Sequence, residues 1–241
     1  MSVGIIIFLM AVALLAAVIS AVFGLAGGAV FFSALVWVVD AKTAVPIHSG
    51  VQLMSNFARI GVYFKEVQWR IVAWFSALLI PGAYLGSLLF SYFNSSLMEA
   101  LVGIFIIITA FLPDSLPIGQ KKSSFALVGF LSAFLGMIVA VTGPLIASFL
   151  NMSDVRKEQM VATKSVCQGL TQLVKVIVFA TLVQFDFADY LTPLLLFGAI
   201  SLIGTFIGKK VIGKISDKLY NKLNRGLLIV IGINMLLKAV L

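Results

Sequence analysis

Slid by 116 positions, this chain matches itself without a gap from about residue 12 to residue 83. Val12, Leu15 and Ala17 fall on Val128, Leu131 and Ala133. Gly27 falls on Gly143, Val45 on Val161, Ser49 on Ser165 and Gln52 on Gln168. Arg59 falls on Lys175, and Gly82 and Ala83 on Gly198 and Ala199. The fold must therefore be built from two related halves, about 3–113 and 119–241, within one unit of 1–241. The chain is also 61% hydrophobic and only 11% charged, against about 25% charged in soluble domains. Duplication in an apolar helical chain points to a transporter with its site where the repeats meet.

The apolar runs are Val3–Val39, Thr43–Phe64, Trp69–Phe93, Leu97–Leu112, Phe125–Met152, Met160–Phe185, Phe187–Gly208 and Gly226–Leu241. A span needs roughly 20 apolar residues, so membrane lipid is the surrounding partner. The expected fold class is an all-α polytopic membrane protein of two inverted repeats. Each repeat is a broken or hairpin helix segment followed by three transmembrane helices. The start of the chain lacks the basic region of a cleaved signal peptide, so its apolar run reads as mature protein.

Charge placement sets the orientation. If all eight runs cross, basic residues split nine to five between the faces. If Phe125–Met152 enters and returns, broken at Thr142-Gly143-Pro144 because proline lacks a helix donor, the split becomes twelve to two. The favoured side then holds Lys65, Arg70, Lys121, Lys122, Arg156, Lys157 and the six basic residues of the 209–225 loop. That follows the positive-inside rule and places the protein across the cell inner membrane, with several passes. By symmetry Val3–Val39 bends at Gly24-Leu25-Ala26-Gly27-Gly28, although Val3–Phe23 is long enough to cross once. The net charge of +8 is thus loop bias and not a nucleic-acid surface.

Broken backbone at membrane depth requires a protein-lined or watery cavity. Gly27 and Gly28, with Thr142, Gly143 and Pro144, are expected to meet near the centre. Helices starting from Ala29 and Leu145 would aim free N–H groups at an anion. The alternative is that glycine and proline only permit close packing or a kink.

Two polar stripes accompany the breaks. His48, Gln52, Asn56 and Arg59 share one helical face by their spacing, as do Lys164, Gln168, Gln172 and Lys175. Intramembrane cations usually face a cavity or a partner. Neither run contains an acid, so an anionic substrate is the missing partner. Arg59 could instead snorkel to the nearby boundary. His48 and Lys164 could be solvated caps near the starts of their runs, and the four amides could bond helix to helix. All nine acids fall in or beside loops, leaving His48 as the conventional titrating group. A proton or counter-ion therefore stays open as coupling partner. The single Cys167 forms no internal disulfide, and no metal, cofactor or enzyme motif is present.

These residues give the chain a family resemblance. It resembles the sulfite exporter TauE/SafE family of bacterial membrane permeases over nearly its whole length. The resemblance rests on Gly24-Leu25-Ala26-Gly27-Gly28, Ala44-Val45-Pro46, Val141-Thr142-Gly143-Pro144 and Ala162-Thr163-Lys164-Ser165. Gly82, Gly86, Gly198 and Gly204 resemble the glycines of the family's later helices. Ala26 stands where a third glycine is often seen, and a TGP sequence replaces a glycine run. The resemblance implies transport of sulfite, sulfonates such as taurine or sulfoacetate, or other organic anions. A passive anion channel and a membrane scaffold remain as alternatives.

Overall fold

The computed structural model describes residues 2–23, 26–112, 122–150, 157–211 and 217–240. Gly24 and Leu25 of the first break, and Lys121, Arg156 and Lys214, lie outside these residues. The first half contains α1 (Val3–Phe23), α2 (Gly27–Leu35), α3 (Ala41–Tyr63), α4 (Trp69–Ser76), α5 (Leu79–Tyr92) and α6 (Ser95–Ala110). The second contains α7 (Lys122–Val139), α8 (Gly143–Leu150), α9 (Lys157–Thr181), α10 (Leu191–Val211) and α11 (Asp217–Val240). No strand occurs among the described residues.

Many large apolar side chains are exposed. Ile80, Ile104, Phe206 and Val230 are exposed, beyond what a soluble surface tolerates in one contiguous belt. By length and composition, α1 and α10 can each cross a membrane, and α4 with α5, bent by 42° at their break, makes a third span if the pair counts as one. The bend splits the expected continuous run Trp69–Phe93. Its cause is Pro81, whose ring clashes with the carbonyl four residues back, at Ala77. The α6 and α7 helices are apolar but shorter.

Local chemistry sets several ends differently from the apolar runs. Asp40 caps α3, accepting from Thr43 N at 3.2 Å and Thr43 Oγ1 at 2.7 Å. The helix thus begins at Ala41, and Pro46 lies inside it rather than opening it. Asn94 caps α6 through Leu97 N at 2.8 Å. The expected 209–225 loop is mostly helix: Lys209 and Lys210 stand on α10, and Lys218, Lys222 and Arg225 on α11. Glu99 is also no loop residue. It sits in the second turn of α6 and is 4% exposed.

Packing is organised around close glycine contacts. A methyl on Gly86 would stand 2.5 Å from the Phe134 carbonyl oxygen, and one on Gly82 would strike that of Phe130. A methyl on Gly204 would stand 2.6 Å from the Leu14 oxygen, and one on Gly208 2.8 Å from that of Val18. Leu14 and Val18 are the residues 116 positions before Phe130 and Phe134. The packing counterparts of Gly82 and Gly86 are therefore Gly204 and Gly208. The sequence pairing of Gly82 with Gly198 is corrected: six extra residues enter between α9 and α10. Gly198 meets the Met54 side chain instead.

Direction follows from the same contacts. Residues 14 and 18 of α1 meet 204 and 208 of α10, and residues 50 and 54 of α3 meet 194 and 198. Thus α1 and α3 both run in the sense of α10, and the intervening α2 must return. Residues 3–39 form a helix–break–helix hairpin. The α2 helix starts tight against α1, where a methyl on Gly27 would stand 2.5 Å from Ser20 Cβ.

Candidate functional site

The two polar stripes face one another. α3 packs on α9, and Gly169 of α9 lies against Asn56 and Ile60 of α3. Gln68, just beyond the end of α3, donates its N–H to Thr163 Oγ1 near the start of α9 at 3.0 Å, while the middle of α9 lies against Asn56 in the middle of α3. The two helices therefore run antiparallel. His48, Asn56, Arg59, Lys164, Gln172 and Lys175 are all buried. His48 is 1% and Lys164 6% exposed, which removes the solvated-cap reading of both.

The breaks cover the stripes. α2 begins at Gly27 and α8 at Gly143, two residues before the expected starts at Ala29 and Leu145. Pro144 is tolerated because the first turn of a helix has no acceptor for its missing N–H. The Ile146 N–H closes the first turn on Thr142 O at 3.2 Å, leaving the earliest N–H groups of α8 without intrahelical acceptors. Ala140 turns the chain with φ 59°, a left-handed conformation that L-residues seldom adopt.

A cavity of about 20 Å³ lies between these parts, room for about one or two waters. Gly28 and Thr142 to Gly143 line it from the breaks. His48, Gln52 and Arg59 line it from α3, and Gln168 and Gln172 from α9. Ser20, Ala140 and Val141 complete the wall. Ser20 and Ala140 were not singled out by the stripes or the break motifs, whereas Val141 stands in the second break motif. A serine four positions before the Gly24 break was the available signal for the first. Five expected residues stay out of the cavity wall: Gly27, Asn56, Pro144, Lys164 and Lys175.

The hydrogen bonding explains the division. His48 Nε2 donates to Gly28 O at 3.0 Å, so the Nδ1 lone pair faces inward without a partner. Gln172 Oε1 and Asn56 Oδ1 are also buried without a partner. Rotation about the terminal torsion exchanges amide oxygen for NH₂, so Gln172, which lines the cavity, can present donors to an anion. Arg59 does not snorkel into solvent. It is 8% exposed, and its Nε and Nη2 donate to Ser55 O at 3.4 Å and Ser55 Oγ at 3.1 Å. Among the described residues no carboxylate pairs with it. Lys175 turns away to the end of α7, where Nζ donates to Ala140 O at 3.5 Å. There it complements the negative end of the α7 dipole.

Among the described residues no group of three metal-ligating side chains comes together. Cys167 is buried in packing. What the arrangement offers is one guanidinium, four amides or imidazole groups and two helix starts, with no acid in the wall. The family description "Sulfite exporter TauE/SafE" matches residues 9–235. No curated protein and no solved structure matches the chain significantly. Covered over nearly all of its length by that match, the chain belongs to the sulfite exporter TauE/SafE family of membrane transporters.

Proposed function

We propose that this protein is a secondary transporter of small sulfur-containing or organic anions, such as sulfite, taurine or sulfoacetate, in the bacterial inner membrane. The observation that carries the reading is the buried guanidinium of Arg59 in a cavity wall without any carboxylate. An unneutralised cation at membrane depth needs an anion or a cavity. Gln52, Gln168 and Gln172 would orient that anion, and the α2 and α8 starts would donate N–H groups. Lys175 would swing from the Ala140 carbonyl to supply the second charge. Asn56, His48 and Lys164 would tune the same field.

The architecture supports alternating access by two inverted repeats, about 3–113 and 119–241. The repeat-related helices α3 and α9 are antiparallel, and α1 on α10 is matched by α7 on α4 and α5. With basic residues inside, the chain would cross the membrane in several passes. A cavity of about 20 Å³ is too small for a four-atom oxyanion beside its ligands. Rocking of one repeat against the other would open it.

The test is thermal stabilisation of the detergent-purified protein by sulfite, sulfate, taurine, sulfoacetate and chloride at constant ionic strength. A saturable shift for one anion class, lost in Arg59→Gln/Lys175→Gln, is expected. Unchanged saturable stabilisation in the double variant would refute the charge assignment. Non-saturating flux in vesicles without counter-transport would identify a channel instead.

A further inference from the structure

We propose that a second cavity beside the central one is a selectivity subsite. Within the anion class proposed above, it would favour a neutral, hydrogen-bonding end over a methyl or an ammonium end, which makes taurine a weaker member of that class. The proposal rests on the reading of the central cavity as the anion site.

The second cavity, of about 10 Å³, lies between α1, α2, α3 and α10, with Phe31 and Val51 supplying apolar wall beside the polar groups. It shares Ser20 and Gln52 with the central cavity. Its floor on α1 is alanine, at Ala13, Ala16 and Ala17, so there is no bulky side chain on that side. Three hydroxyls reach it, from Ser20, Ser55 and Ser201. Ser20 and Ser201 donate no side-chain hydrogen bond to any described residue, although both are buried. Hydroxyls that line a closed cavity favour a polar guest over an apolar one. The volume suits about one water-sized group, the size of a terminal hydroxyl.

Charge decides between polar ends. Ser55 Oγ accepts from Arg59 Nη2 at 3.1 Å, so the guanidinium lies one hydrogen bond behind the wall. No carboxylate lines the cavity. An ammonium there would meet an unscreened like charge, whereas a hydroxyl would find donors and acceptors.

The other half shows why this space is open on one side only. The residues 116 positions after Ser20 and Arg59 are Gly136 and Lys175. Lys175 Cδ lies 3.3 Å from where a Gly136 Cβ would stand. The lysine stem thus occupies the equivalent place, next to a glycine that makes room for it. In the first half Arg59 folds back on Ser55, and the place beside Ser20 is left empty of side chain. The two halves therefore differ where a substrate tail would enter.

The test uses three sulfonates with one head and one heavy-atom length: propane-1-sulfonate, 2-hydroxyethanesulfonate and 2-aminoethanesulfonate, with sulfite as a head-only control. Dissociation constants come from thermal titration of the purified full-length chain. The hydroxyl compound should bind about fivefold tighter than the methyl compound, the worth of one neutral hydrogen bond. The amino compound should bind more weakly than both. Ser201→Ala and Ser20→Ala should each erase the hydroxyl preference, and Ser201→Ala, which lies outside the central wall, should leave the sulfite constant unchanged. Equal wild-type constants for the three tails, or a preference that survives both variants, would overturn the subsite while sulfite binding upholds the central site. Absence of stabilisation by every anion would overturn the central site and the subsite together.

Discussion

Gly103 of α6 and Gly232 of α11 face each other reciprocally across a helix crossing. A methyl on Gly103 would stand 2.9 Å from the Gly232 carbonyl oxygen, and a methyl on Gly232 3.0 Å from that of Gly103. Backbone carbonyls cannot rotate aside, so Gly103→Ala must separate the helices. The expected loss is about 1–3 kcal/mol, the usual cost of overpacking, read as a lowered melting temperature in detergent. Gly226→Ala on the same α11 is the control. Nothing stands within 4 Å of its added methyl, and helix propensity makes it neutral to mildly stabilising. Equal effects of both substitutions would contradict the crossing.

The two glycines of the first break should respond in opposite ways. At Gly28 an added methyl meets Gln52 Nε2 at 3.1 Å and His48 Nε2 at 3.5 Å, the ends of movable side chains. Gly28→Ala should fold, yet weaken anion binding by roughly tenfold by displacing an amide ligand. At Gly27 the methyl strikes the Ala16 carbonyl and lies 2.7 Å from Ser20 N. Gly27→Ala should lower the yield of folded protein, as judged by size-exclusion chromatography. A well-folded Gly27→Ala with normal binding would argue against the hairpin contact.

Lys175 is fully buried, and Ala140 O is its one hydrogen-bond acceptor among the described residues. Replacing an unneutralised buried charge by an apolar group of like shape is commonly neutral or stabilising. Lys175→Met should therefore keep or raise the melting temperature without anion, while abolishing the anion-induced shift. A large loss of stability would mean that the lysine holds the α7–α8 turn and little else.

Asn234 ties the short α2 hairpin arm to α11. Its Oδ1 accepts from Ser33 Oγ and from Trp37 Nε1, each at 3.0 Å. Asn234→Leu removes both acceptor contacts and should cost about 1–3 kcal/mol. Trp37 fluorescence should shift at the same time. An unchanged emission spectrum would show that the tether does not hold the indole.

The polar faces and the two breaks were legible in the sequence because each depends on local rules. Helical spacing puts His48, Gln52, Asn56 and Arg59 on one side whatever surrounds them. Clustered glycines weaken a helix through backbone entropy, and Pro144 suits only a helix start, so both mark breaks locally. The repeat between residues 12 and 83 likewise identified Arg59 and Lys175 as counterparts. The true partners of Gly82 and Gly86 were not legible, since an insertion between α9 and α10 is resolved only by which carbonyls the glycines touch. Nor was the break at Ala77, where Pro81 acts within an otherwise uninterrupted apolar run.

By itself the sequence determined an apolar, duplicated helical chain with cationic and amide groups on two equivalent helices, because composition and periodicity are properties of the chain alone. Tertiary structure decided which of those groups share a cavity. Arg59 and Lys175 occupy equivalent positions, yet Arg59 lines the central space and Lys175 lies along α7. The reason is steric: Gly136 leaves a slot for the lysine stem, whereas its counterpart Ser20 presents a side chain to the cavity. Equivalent sequence positions thus acquire different neighbours, and only the packed structure supplies them.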